Sequence, residues 1–382
     1  MRILYFYPEN PLSYSQGNNS RALSLLRYFR SRDIFVDLIG EKSDSFNEDA
    51  IIELKSEKLI REGFLLEKLK KSDNRINYYF NYSFPRQLNN KMRDFDRTKF
   101  GYKDQFLKVL NDNQYDVVIM SYVYWSPLLD NAAKEKGTKW IIDTHDFLTS
   151  QFQDNKKFIL DKYFKTEINS LKKFDNVWVI SSEEKYLFSQ FVKNPVSLIY
   201  HSLPNNTENS STTEKDIDIV YVASENEHNI KSANWFFNEV YPKLSDRIKI
   251  TIVGKINNHI SEFKNVEKLV LVKDLDDIYK RSRIAICPML SGTGVKIKVI
   301  ESLSHGIPVV CTERGVDGLL NKTNNGCLTT NDPVLFSAYI HKLLDDKEFY
   351  RKKYLEAKTF FEDNFDINKA YKVLDSIFLT NC

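Results

Sequence analysis

Cys287-Pro288-Met289-Leu290-Ser291-Gly292-Thr293-Gly294-Val295-Lys296-Ile297-Lys298-Val299-Ile300-Glu301-Ser302-Leu303-Ser304-His305-Gly306-Ile307-Pro308-Val309-Val310 reads as strand end, glycine loop, helix, glycine stop and strand. Gly292 and Gly294 let a backbone approach a ligand closely, and the N-terminus of the helix that follows offers free N–H groups to an anion. Lys298, Glu301 and His305 fall at i, i+3 and i+7, one polar stripe, while Ile297, Ile300 and Leu303 form the apolar face. Lys296 and Lys298 sit in the first turn, where the helix dipole favours negative side chains. Either a phosphate-like anion is expected there, or both lysines are simply solvated.

The same strand–loop–helix rhythm extends outward. In the second half, short apolar runs at 217–222, 248–253, 269–272, 284–287 and 308–311 predict strands, and only helical patterns follow Asp332, ending at 368–379. In the first half, runs at 3–7, 34–39, 116–120, 140–143, 177–180 and 196–200 do the same. Continuous rather than alternating apolarity marks strands buried on both faces of a parallel sheet. Between the first two strands lie a polar loop, with Gly17 and Asn18, and a helix with Leu23, Leu26 and Phe29 inward and Arg21, Arg27 and Arg30 outward. The expected fold class is α/β, two Rossmann-like domains facing across a cleft, with a C-terminal helix crossing back to the first domain. The expected boundaries are 1–203, a polar linker at 204–215, a second domain at 216–362 and the crossing helix at 363–382. Ligands in such sheets sit at the carboxyl ends of the strands, so the cleft is the default site.

Composition narrows the class. The chain has 382 residues, 42% hydrophobic and 28% charged, with a net charge of +3, values of a globular protein that does not gather nucleic acid by charge. The four cysteines, Cys287, Cys311, Cys327 and Cys382, show no zinc spacing or disulfide framework, so a reducing compartment is expected. No apolar run approaches the roughly 18 residues of a membrane span, and the N-terminal run is too short for a signal peptide; the expected location is cytoplasmic. Residues 53–103 carry 13 Lys/Arg against 7 Asp/Glu, interleaved with aromatics. They read as a surface helical insertion whose aromatics pack down, or as a basic, aromatic-studded face for anionic lipid at the inner side of a membrane.

Gly292-Thr293-Gly294 followed by Lys298, Glu301, Gly306 and Pro308-Val309-Val310 resembles the donor-site signature of GT-B-fold retaining glycosyltransferases of the family 4 type. The resemblance extends to Asn229, Trp235, Phe236 and Pro242 upstream and Gly315-Val316-Asp317-Gly318-Leu319 downstream, covering residues 217–330, and reaches the first half only loosely. It implies transfer of a sugar from a nucleotide donor to a hydroxyl acceptor, a glycan or lipid-linked glycan, with retention and without metal or other cofactor. Bacterial surface-polysaccharide assembly is the usual setting of such proteins. It further implies that Glu301 holds the nucleotide ribose. The diphosphate falls to the loop backbone at Gly292, Thr293, Gly294 and Val295, with Lys296 and Lys298 neutralising it.

Two positions depart from the family pattern. Thr293 stands eight residues before Glu301, where a second glutamate is common, which matches a subgroup with a Ser-Gly-Thr-Gly loop. Where an Arg and a Lys usually follow the first strand of the second domain, the chain reads Ala223-Ser224-Glu225-Asn226-Glu227-His228-Asn229-Ile230-Lys231. There His228 or Lys231 substitutes in the diphosphate clamp, or Lys296 and Lys298 supply the charge alone. In the first half, His145 resembles the family's strand-end histidine near the transferred sugar, with a capping role as the plain alternative. Gly17 and Asn18 match the loop that approaches the donor phosphates. Asp143 and His145 share a strand face, but no third metal ligand stands at a readable spacing. The competing readings are a non-catalytic GT-B subunit, a GT-B epimerase and, last, a Rossmann oxidoreductase, which lacks its Gly-x-Gly-x-x-Gly after the first strand.

Overall fold

The computed structural model describes residues 1–13, 17–88, 93–207, 214–272, 274–292 and 294–379. Thr293, Cys382 and half of the polar stretch at 204–215 therefore lie outside the described residues. The chain divides into two units, Met1–Leu198 and Ile199–Cys382.

The first unit holds seven strands: β1 Arg2–Phe6, β2 Phe35–Glu41, β3 Glu62–Leu66, β4 Val117–Ser121, β5 Lys139–Asp143, β6 Asn176–Val179 and β7 Val196–Leu198. They are parallel throughout, in the order β3-β2-β1-β4-β5-β6-β7. The second unit repeats the plan with β8 Ile217–Val222, β9 Ile250–Val253, β10 Val266–Leu269, β11 Ser282–Cys287, β12 Val309–Cys311 and β13 Cys327–Thr329, ordered β10-β9-β8-β11-β12-β13 and again parallel. Strand order reverses at β1/β4 and at β8/β11. These switch points open a crevice at the carboxyl ends, where α/β sheets bind ligands.

The continuous apolar runs follow from helices on both faces. In the second unit Ile217, Val220, Ala285 and Val309 face the helices Ile297–Ser304 and Lys347–Asn364, through Val299, Ile300, Leu303, Ala357 and Phe361. Ile219, Tyr221, Ile250, Ile252, Ile284 and Ile286 face the opposite layer, with Phe236, Phe336, Ile340 and Leu343. Successive side chains point to opposite faces, so most positions on the central strands are buried, with Lys139 at the start of β5 exposed. Cys287, Cys311 and Cys327 are free, buried thiols in this core.

Three expectations need correction. The 53–103 segment is not wholly helical, because it contains β3, an edge strand paired only to β2. With Gly63 inside it and four of its five residues only partly buried, it carries neither the length nor the apolarity of a central strand. The strand expected at 269–272 is β10, three residues earlier; it is also an edge strand, so charged Glu267 and Lys268 stand within it, while Leu271 beyond its end is exposed. Arg21, expected outward, is buried. β13, only three residues long in a polar stretch, leaves no periodic signal.

Gly254, immediately after β9, has φ of +117°, and a Cβ there would lie 2.1 Å from the Ala223 carbonyl oxygen at the end of β8. Backbone cannot yield as a flexible side chain does. Gly254→Ala is expected to cost about 1–3 kcal/mol in denaturant unfolding; an unchanged midpoint would show that this strand end is loosely held.

Candidate active site

At the second switch point, the chain leaving β11 turns through Gly292 at φ +93° and Gly294 at φ +75°, then enters the helix Ile297–Ser304. Lys296 is buried, and its Nζ donates to the Gly294 carbonyl at 2.7 Å, with the Gly292 carbonyl at 3.4 Å. This lysine ties the loop shut on itself. Val295 packs against the core. Beside the loop, Asn226 caps the helix Glu227–Trp235 by accepting from the Asn229 amide, which brings His228 to the loop, with Nδ1 2.9 Å from Ser291 Oγ. Lys231 lies exposed on the same helix.

In the first turn of the Ile297–Ser304 helix, Lys298 Nζ donates to Asn229 Oδ1 at 3.1 Å and stands 5.6 Å from the centroid of the Tyr221 ring. Buried Asn229 is itself held by donating to the Ser224 carbonyl at 2.9 Å. Burial lowers the Lys298 ammonium, against the opposing pull of Cys287 and Glu301. Glu301, on the same face, accepts from the Tyr279 hydroxyl at 3.1 Å. Burial raises its carboxyl, while that hydrogen bond and Lys298 act the other way. His305 departs from the expected stripe. It caps the end of the helix, is buried, contacts Asp276 Oδ1 at 3.1 Å and stacks on Tyr279 at 5.4 Å. It therefore buttresses the Tyr279–Glu301 pair from behind. The arrangement presents an amide-rich turn, one cation and one carboxylate on adjoining helical turns, a donor–acceptor set suited to a diphosphate and a vicinal diol.

One strand over from the first switch point, Asp143 ends β5 and His145 follows two residues on. Arg21, from the helix Gly17–Ser31 that Gly17 and Asn18 open, grips Asp143 with two parallel bonds, Nε to Oδ2 at 3.0 Å and Nη2 to Oδ1 at 2.7 Å. Both side chains are buried. Burial pushes the Asp143 carboxyl up, but the Arg21 guanidinium and the adjacent His145 outweigh it and hold the group well below the usual carboxylate range. His145 Nε2 lies 3.2 Å from Asp143 Oδ2 without a formed hydrogen bond. Its ring stacks on Tyr122 at 4.1 Å and 18°. His145 and Tyr122, each just past a strand, hold φ of +63° and +65°. Two stacked non-glycine residues in that region carry local backbone strain. Among the described residues no group of three or more His, Cys, Asp and Glu is placed to hold a metal ion.

Behind His145 two buried carboxylates are raised. Glu167 accepts from the Leu148 and Thr149 amides at 2.9 and 2.8 Å, and burial still lifts it to about 7. Burial and the charge of Asp146 lift Glu184 to about 8. Such groups bind protons in the fold that the unfolded chain has released, so their contribution falls as pH rises from about 4.5 toward 8. Glu184→Gln is expected to flatten that decline in urea melts taken across the window; an unchanged slope would show that Glu184 is ionised throughout.

Residues 216–346 match the family model described as glycosyl transferases group 1. The stretch matched spans most of the second unit, which is thus similar to a group 1 glycosyltransferase domain. Along the whole chain the fold is GT-B-like. Sucrose-phosphate synthase from Thermosynechococcus elongatus superposes with a TM-score of 0.73 at 14% identity, covering 99% of this chain and 98% of that one. Anabaena Alr3699/HepE, solved in complex with UDP and glucose, gives 0.69 at 12%, covering 100% of both. A TarM mutant from S. aureus, in complex with fondaparinux, alpha-GlcNAc-glycerol and UDP, gives 0.70 at 14%, covering 99% of both. In sequence the chain is 24% identical over 381 residues to an uncharacterized 44.6 kDa protein in the cps region of Klebsiella pneumoniae, covering 91% of this chain and 95% of the relative.

The geometry thus gathers Gly292, Gly294, Lys298 and Glu301 at one switch point of the second unit, with His228 at the loop. Sequence reasoning missed Tyr279 as the partner of Glu301 and Arg21 as the partner of Asp143. Tyr279 sits in a helix, Leu275–Arg281, with no motif of its own. The signal for Arg21 was available: it stands four and seven residues before Leu25 and Tyr28, the spacing of one helix face, and both of those are buried.

Proposed function

We propose that the protein transfers a sugar, with retention, from a nucleoside-diphosphate sugar to a hydroxyl of a glycan or lipid-linked glycan in surface-polysaccharide synthesis. The observation that carries this reading is the pair of left-handed glycines, Gly292 and Gly294, opening a helix that bears Lys298 and Glu301. In this reading the second unit holds the donor: Glu301 accepts from the ribose hydroxyls, and the loop amides bind the diphosphate. Lys298 neutralises charge that grows on the leaving phosphate as the sugar becomes oxocarbenium-like, and no metal is required. Lys296 keeps the loop closed so that its amides converge, and His228 stands ready to donate to a phosphate oxygen. The first unit takes the acceptor, with His145 near the transferred sugar. Supporting the polysaccharide setting, the Klebsiella relative is described as lying in a cps region.

The test is slow hydrolysis of a panel of nucleoside-diphosphate sugars, followed by NMR. Release of a sugar whose first-formed anomer matches the donor supports the reading. The opposite anomer would refute retention, and stable donors across the panel, with no transfer to a hydroxyl acceptor, would refute the activity.

A further inference from the structure

Residues 75–88 form one helical run, Arg75–Asn77, then a π-helical stretch Tyr78–Ser83, then Phe84–Leu88. Its two faces are unlike. On the inner side Tyr78, Tyr82 and Arg86, four residues apart, fasten it to the chain at 96–100. Tyr78 packs edge-on to Phe100 at 5.1 Å, and Arg86 donates to the Asp96 and Thr98 carbonyls at 2.9 and 3.1 Å. On the outer side Ile76, Tyr79, Phe80, Phe84 and Leu88 are 75, 50, 61, 41 and 66% exposed. Residues four apart drift around a straight α-helix, but the π stretch winds less per residue and brings Ile76, Phe80, Phe84 and Leu88 back into line. Tyr79 stacks on Phe84 at 6.1 Å, so the stripe is continuous. Five large apolar side chains facing outward on a helix that is firmly anchored by its other face need an apolar partner.

Charge identifies the partner. The surplus of positive residues in 53–103 lies entirely within 68–93: Lys68, Lys70, Lys71, Arg75, Arg86, Lys91 and Arg93 stand against Asp73 alone, and the remainder balances. Lys68, Lys70, Lys71 and Arg75 are exposed where the run begins. An apolar stripe bordered by exposed cations matches the chemistry of an anionic bilayer surface, with acyl chains below and phosphates above. No helix among the described residues is long and apolar enough to cross a membrane.

We propose that residues 68–88 dock the protein on an anionic phospholipid surface, the stripe entering the interface and Lys68, Lys70, Lys71 and Arg75 meeting the phosphates. This stands apart from the sugar-transfer reading, because vesicle binding is measured without nucleotide. The experiment is co-sedimentation of the full chain with phosphatidylglycerol–phosphatidylcholine vesicles and with phosphatidylcholine alone, at low and high salt. The proposal expects binding to the anionic vesicles only, weakened about tenfold by salt. It also expects loss of binding both in Phe80→Ser/Leu88→Ser and in a variant with Ser at positions 68, 70, 71 and 75. All are exposed positions that the fold does not need, and circular dichroism and melting confirm that each variant is folded. Absence of binding at low salt, equal binding to neutral vesicles, or binding untouched by both variants would overturn it. So would a dimer in sedimentation velocity that Phe80→Ser/Leu88→Ser dissolves, since a second copy would then cover the stripe.

Discussion

Arg21→Ala is expected to destabilise the protein by about 3–5 kcal/mol, the cost of leaving a buried carboxylate without its partner. Asp143 is buried at the end of β5, and Arg21 grips it with two hydrogen bonds, with His145 Nε2 3.2 Å away. His145 offers no formed bond to take over. The loss should appear in denaturant melts near neutral pH. Because the folded carboxyl is depressed, the stability it contributes is complete above the unfolded value near 4 and fades as pH falls below it. The variant's deficit should therefore shrink in acid, where Asp143 is protonated with or without Arg21. Arg21→Ala/Asp143→Asn, which removes the charge with its partner, should recover most of the stability. A single variant that melts with the wild type would mean the pair contributes nothing, and His145 would lose the wall that sets its position.

Lys298→Ala is expected to lower kcat/KM for sugar transfer about 100- to 1000-fold, the usual cost of removing one charge stabiliser from a developing anion. Its melting midpoint should stay close to wild type. Burial lowers the Lys298 ammonium, so the fold disfavours the charge it carries there. A group retained against stability is expected to act on something outside the fold. Lys298→Arg should restore part of the rate, and Asn229→Ala, which frees the ammonium from its 3.1 Å partner, should misplace it and reduce the rate less. Full activity in Lys298→Ala would move the phosphate charge to His228 or Lys231.

The central strands and the glycine loop were legible because burial on both faces writes itself as unbroken apolar runs, and because left-handed turns select glycine. Edge strands were not. β3 and β10 meet solvent on one side, and there Glu62, Glu267 and Lys268 dilute the apolar signal. At the candidate site, Lys298 and Glu301 were readable from their spacing on one helix. Their partners, Asn229 and Tyr279, come from sequence positions 69 and 22 residues away, and only the sheet order joins them. Arg21 failed for a different reason: a charged residue on an amphipathic helix is ordinarily solvated, and its buried partner lies 122 residues on.

The most direct measurement is calorimetric titration of the wild type and Glu301→Ala with UDP, GDP, dTDP and ADP. The account predicts that one of these binds at a single site and that the variant weakens it by about 10- to 100-fold, the worth of a hydrogen bond to a charged acceptor, with the fold intact. If none binds the folded protein, or if Glu301→Ala binds as tightly as the wild type, the donor site is not where Gly292, Gly294, Lys298 and Glu301 converge.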